Sequence, residues 1–481
     1  MSAHWLWGTE NMAAAMGAER SGALPAGISG ISIDSRTIAE GEAFFAITGE
    51  SRDGHEFVPA AIARGAGLAV VAVERRAQMP PAAPLLLVPD VLAGLVDLAR
   101  AARARSVARI VGVTGSVGKT GTKEALWLAL SAEGDTHASA ASYNNHWGVP
   151  LSLARMPRSA AFGVFELGMN HAGEITPLAK LVRPHVAIIT TIEPVHLEYF
   201  GSLEAIADAK AEIFLGLEPG GAAVLNRDNA QWARLARAAR DTGAGRIASF
   251  GEHAEADARL LKVSLQPDCS TVRASIFGAE VTYKLGAPGR HLVINSLAVL
   301  AAVRLLEADL ALAALALAAL QPPAGRGARV TLTLPTGTAL LIDESYNANP
   351  ASMSAALALL GQAPIGARGR RIAVLGDMLE LGPEAEALHR GLLQSVLDHD
   401  ADLVFCAGPL MRALWDALPS DLRGDYATDS AALEPQVLAA VRDGDAIMVK
   451  GSLGSRMGPI VKALATRYTR QNARRTAPVQ G

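Results

Sequence analysis

Ile110 to Val113 form an apolar run that breaks into Gly115, Ser116, Val117 and Gly118 and then into Lys119 and Thr120, where a stretch carrying Ala125, Leu126, Leu128 and Leu130 begins. A buried strand, a glycine turn and the start of an amphipathic helix, in that order, suit one kind of chemistry, the holding of a polyphosphate. Glycines let backbone N–H groups close on phosphate oxygens, and the helix start, through Gly121, adds orphan donors and partial positive charge. Lys119 would then reach the β and γ phosphates, and the Thr120 hydroxyl would ligate Mg2+. The glycines stand at 112, 115 and 118, with Val113 where the standard pattern has a glycine. The plain alternative is a glycine turn without a ligand; the strand before and the helix after favour the cradle, so ATP or GTP is expected.

Other residues sit where chemistry could join this loop. Glu166 stands in the apolar run Val164 to Leu167, where a carboxylate is costly unless paired or metal-bound, so Mg2+ ligation is expected. His196 follows the apolar run Val186 to Ile192 and suits a metal or phosphate role at the same sheet edge. In a helix capped by Ser202, Lys210 shares a face with Leu203, Ile206, Ile213, Phe214 and Leu217. Burial there lowers a lysine pKa, and a neutral amine can take up CO2 as a carbamate, a carboxylate-like metal ligand; the alternative is a lysine whose head reaches water. His291 and Asn295, four apart on one helix face, could contact a nucleotide base. Asp343 to Pro350 is a polar run after a buried strand, and Arg326 follows a hinge at Gln321–Gly325, placed to bring charge to the phosphates as a third domain closes.

Elements that position these groups follow from the pattern. Apolar runs at Ile28–Ile33, Ala43–Ile47, Leu68–Val73 and Leu85–Val88, then at Ala222–Leu225, Leu340–Asp343, Ile372–Leu375, Leu403–Cys406 and Ala446–Val449, alternate with helical stretches. The expectation is an α/β protein of three domains: an N-terminal α/β domain over 1–105, a central P-loop-type doubly wound, mostly parallel sheet over 106–320, and a C-terminal Rossmann-like domain over 321–481. Leu310 to Leu320 reads as a buried helix, too short for a membrane span. The basic tail from Arg467 reads as frayed, and no internal repeat is evident. Among 481 residues, 44 Lys and Arg against 47 Asp and Glu leave a net charge of -3, which excludes a general nucleic-acid or anionic-membrane binder. Cys269 and Cys406 form no ligand spacing, and the first residues lack a secretory signal, so a cytoplasmic location is expected. Asp34–Arg36 and Arg52–His55 read, on residues alone, as turn chemistry.

Taken together, these motifs resemble the Mur ligases of peptidoglycan synthesis across all three domains. The resemblance is carried by Asp34–Arg36, Asp53–His55, Thr114–Thr120, Asn144–Pro150, Glu166–Asn170, Gly173–Ile175, His196–Glu198, Phe200–Ser202, Ala209–Ile213, Gly289–His291 with Asn295, Gly325–Arg326, Asp343–Pro350, Val374–Gly382 and Lys450–Ser452. The glycine loop alone matches the wider group that includes folylpolyglutamate ligases; Ser345–Pro350 and Leu375–Gly382 point to the member that adds a dipeptide. The family usually has Thr-Asn where Ser116 and Val117 stand, and often Asp at Glu344.

The resemblance implies an ATP-dependent carboxylate–amine ligase, in which the γ-phosphate passes to the tripeptide carboxylate of UDP-MurNAc-tripeptide and the D-Ala-D-Ala amine displaces it. It implies Lys119, Lys210, His196 and Arg326 in catalysis, and two Mg2+ ions on Thr120, Glu166, His196 and a carbamylated Lys210. It further implies Gly115 to Gly121, His291, Asn295, Arg326, Asn347 and Asn349 on the nucleotide, Ser35 and Arg36 on the UDP end, and Asn144 and Asn145 near the muramoyl-peptide. A monomer is expected, with small-molecule partners and neither nucleic acid nor membrane insertion. The rival readings are a ligase of this fold adding a single amino acid, such as diaminopimelate, lysine or glutamate, and a nucleotide-gated binding module that makes no bond.

Overall fold

The computed structural model describes residues 5–49, 52–140, 142–195 and 197–475, with side chains to 468 apart from that of Leu197. Among the described residues three mixed sheets carry the molecule. In the N-terminal sheet the order is Glu19–Ser21, Leu85–Val88, Leu68–Ala72, Ala43–Phe45, Ile31–Ser32, with only the first strand antiparallel to its neighbour. The apolar run Ile28–Ile33 is not one strand: Ile28 pairs with Trp7, Ile31 with Ala43, and the chain bends between them at Ser29 and Gly30.

The central sheet runs Ala279–Leu285, Ser270–Ile276, Ala258–Leu265, Arg246–Gly251, Ala222–Asn226, Val186–Ile189, Arg109–Thr114, Phe162–Glu166, Thr136–Ala138. From Ala258–Leu265 to Thr136–Ala138 every pairing is parallel, and the other two strands form an antiparallel extension. Helices cover both faces of the parallel part, which is why its strands read as unbroken apolar runs rather than alternating ones. The expected strand Val186–Ile192 ends at Ile189, because Thr190 to Ile192 turn over the glycine loop, with Ser116 N donating to Thr191 O at 2.9 Å.

The C-terminal sheet has the order Ala328–Thr333, Thr338–Glu344, Ala446–Lys450, Arg371–Gly376, Leu403–Ala407, Arg423–Ala427; its first two strands form a hairpin and the rest are parallel. Gly325, at φ +74°, donates its N–H to Asp343 Oδ2 at 3.0 Å, so the hinge is tied to the strand it leads into.

Two expectations are corrected. Leu310–Leu320 is not a wholly buried helix: the α-helix spans Leu310–Ala316, and Leu312 and Leu315 are 45% and 73% exposed while Ala313, Ala314, Leu317 and Leu320 face the core. A 3.6-residue period puts these sets on opposite sides, and alanine, equally at home inside or outside, conceals the face in the sequence. The tail is helical past Arg467, within Gly458–Arg475; residues 476–481 lie outside the described residues.

The junction near residue 105 is no open linker. Helix Val91–Arg105 buries Leu95 and Leu98 in the N-terminal core and Ala99 in the central one. Its Arg103 guanidinium, 6% exposed overall, donates to Val182 O at 2.8 Å, Arg183 O at 2.8 Å and Glu218 Oε1 at 2.9 Å. Removing it strips two carbonyls of this donor and leaves Glu218 with Arg183 as its ion-pair partner at 2.7 Å. Arg103→Met should therefore destabilise the first two domains by about 3 kcal/mol, read as a lowered urea or thermal midpoint.

Candidate active site

The inner ends of the central and C-terminal sheets share one cleft of about 460 Å3, within the range of small-molecule sites. One wall is the glycine loop. Gly115 at φ +143° and Gly118 at φ +87° adopt backbone conformations closed to most side chains, and a Cβ on Gly118 would stand 2.5 Å from Asn295 Nδ2. The turn is held from outside as well: Thr190 donates its hydroxyl to Val117 O at 2.5 Å, and Ser116 exchanges hydrogen bonds with the Glu193 backbone, receiving from N at 3.0 Å and donating to O at 3.1 Å.

Lys119 opens helix Lys119–Ser131 and folds back over the loop, donating Nζ to Gly115 O at 2.7 Å. Burial holds its ammonium below the ordinary lysine range, with Arg326 acting in the same sense and Glu166 opposing. Beside it Glu166, 1% exposed, receives the Thr120 hydroxyl at 2.8 Å and the Asn144 amide at 2.8 Å. Thr120 lies 3.3 Å from the Ser142 hydroxyl, which in turn receives Arg326 Nη2 at 3.3 Å. Arg326 thus crosses from the hinge to the central domain, its guanidinium stacked over Tyr346 at 4.3 Å.

Lys210 is 2% exposed on the buried side of helix Leu203–Ala211. Among the described residues its ammonium makes no hydrogen bond or ion pair. Burial, reinforced by the positive charge of Lys119, holds it well below the ordinary lysine range. His291 and Asn295 line the cleft from helix Arg290–Leu305, and Arg326, Asn347 and Asn349 line it from the C-terminal side.

Several expected residues have other occupations. Asn349 caps helix Pro350–Gly361, receiving Ser352 N at 2.9 Å, although it also borders the cleft. Asn145 accepts Gly148 N at 2.9 Å at the head of helix Gly148–Ala154 and is not part of the cleft lining. Ser35 and Arg36 lie outside it too; Arg36 grips Asp34 through Nε at 2.9 Å and Nη2 at 2.7 Å, which holds the Asp34 carboxyl down at about 2. His196 lies outside the described residues. Among the described residues no cluster of three or more His, Cys, Asp or Glu gathers to hold a metal.

Other cleft residues were given no role by the sequence, although Lys450 and Glu344 lie in motifs that carry the family resemblance. Lys450, at the end of strand Ala446–Lys450, donates to Glu344 Oε2 at 3.2 Å and Asn347 O at 3.0 Å. Thr190, Thr191 and Glu193 line the cleft from the turn after Val186–Ile189. The signal that could have found them is position: each sits just past, or at the end of, a buried parallel strand.

Three family models match the chain: "Mur ligase family, catalytic domain" over 27–102, "Mur ligase middle domain" over 113–303 and "Mur ligase, glutamate ligase domain" over 328–453. The chain is 34% identical to UDP-N-acetylmuramoyl-tripeptide–D-alanyl-D-alanine ligase of Escherichia coli, over 90% of this chain and 93% of that one. It is 30% identical to the ligase of the same name from Rickettsia prowazekii, over 95% and 99%. Among solved structures, MurF from Acinetobacter baumannii superposes with a TM-score of 0.81 at 28% identity, covering 96% of this chain and 99% of that one. MurF ligase from Thermotoga maritima in complex with ADP gives 0.74 at 25%, over 92% and 98%.

Gly118→Ala tests the loop directly. The added methyl meets Asn295 and forces a left-handed backbone on alanine, so nucleotide affinity measured by titration calorimetry should fall by about tenfold or more.

Proposed function

The chain belongs to the Mur ligase family, and on that premise we propose that it is an ATP-dependent ligase joining D-alanyl-D-alanine to UDP-N-acetylmuramoyl-tripeptide in peptidoglycan precursor synthesis. The observation that carries this reading is the shared cleft. The glycine loop and Glu166 face Arg326, Glu344 and Lys450 of the C-terminal domain, so a nucleotide and two further substrates can meet between domains.

The steps follow from charge placement. ATP lies with its phosphates over the loop amides; Lys119 exchanges its internal carbonyl contact for β and γ oxygens. The tripeptide carboxylate attacks the γ-phosphorus, the bond to the bridging oxygen breaks toward ADP, and an acyl phosphate forms. The dipeptide amine then attacks the acyl carbon, the C–O bond to phosphate breaks with its electron pair leaving on phosphate, and the amine nitrogen gives up a proton. Positioned cations do most of the work, since charge moves among phosphate oxygens throughout.

The donor set suits Mg2+: a hydroxyl and a carboxylate, Thr120 and Glu166, stand together, and a hard ion needs little more than these, phosphate oxygens and water. When bound, Mg2+ would neutralise charge on the transferring phosphoryl. Lys210 is the residue to extend that set. Its buried, deprotonation-prone amine favours a carbamate, an anion for a second ion that His196 would share. His291 and Asn295 serve the adenine, Arg326 and the Asn347–Asn349 segment the phosphates and ribose, Ser35 and Arg36 the UDP end, and Asn144 the muramoyl-peptide. The cleft is completed within one chain, so a monomer suffices. Among the described residues no helix is long and apolar enough to cross a membrane, and the two buried free cysteines agree with a cytoplasmic location.

The test is mass analysis of products after incubation with ATP, Mg2+, UDP-MurNAc-tripeptide and D-Ala-D-Ala; a pentapeptide product supports the reading, and product only with a single amino acid overturns it. Lys210→Met should lower ligation by at least about a hundredfold. It should also raise stability near neutral pH. With the folded lysine's pKa below that of the unfolded chain, the unfolded chain binds more protons between the two values, so wild type gains stability as pH rises toward the lysine range and the variant's advantage shrinks. Arg326→Ala should reduce kcat by about tenfold or more with little change in nucleotide affinity, seen by comparing steady-state rates with calorimetric Kd values.

A further inference from the structure

Three carboxylates line the cleft. Glu166 is engaged by Thr120 and Asn144, and Glu344 by Lys450. Glu193 differs: the Thr191 hydroxyl donates to its Oε1 at 3.1 Å, and among the described residues nothing donates to Oε2. Its backbone is rigidly placed by Ser116, while Asn229 holds Thr191 Oγ1 at 3.0 Å and Ile192 O at 2.9 Å. Burial pushes the Glu193 carboxyl above the usual carboxylate range and the Thr191 hydroxyl only partly offsets this, so the group gains from a further donor.

Sheet order decides which part of a nucleotide Glu193 meets. Glu166 ends the strand on one side of Arg109–Thr114; Thr191, Glu193 and Asn226 follow the strands on the other side, and Asn295 stands against Gly118. The reacting end of the triphosphate belongs with Lys119, Thr120 and Glu166, which leaves the opposite side for the base. We infer that Glu193 is a specificity-determining residue that accepts a hydrogen bond from the exocyclic 6-amine of adenine. A 6-oxo purine offers an acceptor at that position, and carboxylate facing carbonyl oxygen is repulsive, so inosine nucleotides are rejected. This inference rests on the ATP reading above.

The experiment compares kcat/KM for ATP and ITP, by phosphate release, in the full-length wild type, Glu193→Ala and Glu193→Gln, and repeats the comparison as Kd by calorimetry without the other substrates. Wild type should favour ATP by about tenfold or more. Glu193→Ala should lose about tenfold with ATP and stay within about twofold with ITP, which removes most of the preference, and Glu193→Gln, whose amide can donate to a 6-oxo group, should remove or invert it. Each preference is a ratio within one preparation, so partial misfolding cancels. A wild type without ATP preference, or a ratio unchanged in both variants, overturns the inference. Selective ATP binding without ligated product would instead sink the ligase reading and leave Glu193 standing.

Discussion

The backbone between Thr114 and Lys119 is held in an open turn whose Ser116 N–H is tied to Thr191 O, and the rest of the site depends on that constraint. Its shape comes from one bond within the loop, Lys119 folded onto Gly115, and from neighbours: Thr190 on Val117, the Glu193 backbone on Ser116, and Asn295 against Gly118. Glycine at 115 and 118 admits the dihedrals, and the surrounding turns select them. The cradle is therefore set before any ligand arrives, which reduces the ordering cost of binding.

Charge in the cleft is distributed according to how it can be compensated. Glu166 and Glu344 each rest on donors supplied by an adjacent loop or strand, Thr120 with Asn144 and Lys450 respectively. Lys210 has no such donor set and sits in a place where an ammonium is disfavoured, next to the cation of Lys119. Lys119, which lines the cleft, and Lys210, buried within its electrostatic reach, are both held below their ordinary range, a setting that favours an anionic partner.

Domain organisation serves the same end. Helix Val91–Arg105 and Arg103 weld the N-terminal domain to the central one, whereas the C-terminal domain meets the cleft through the hinge and side chains such as Arg326. One seam is fixed and the other is built around polar contacts that a ligand can replace. For a reaction whose activated acid hydrolyses in water, that arrangement lets substrates enter while keeping the reacting groups within reach of closure.

Local chemistry in the chain was enough to identify the loop, the apolar strands, the helix start at Ser202, and the odd placement of Glu166 and Lys210, because each depends on residue type and short-range periodicity. The three α/β units were legible for the same reason. What those signals could not convey was pairing across distance. That Thr190 latches Val117, that Lys450 and Glu344 are register partners, or that Arg326 reaches Ser142 follows only once segments far apart in sequence lie side by side. The exposed face of Leu310–Ala316 escaped notice because alanine is indifferent to burial, and the break at Ser29 and Gly30 because two neighbouring strands, not the residues themselves, divide that run. Sequence alone singled out the groups whose chemistry suits phosphate and metal; the fold decided which of them stand within hydrogen-bonding distance, since that depends on the order of strands in a sheet, a long-range property that no local pattern encodes.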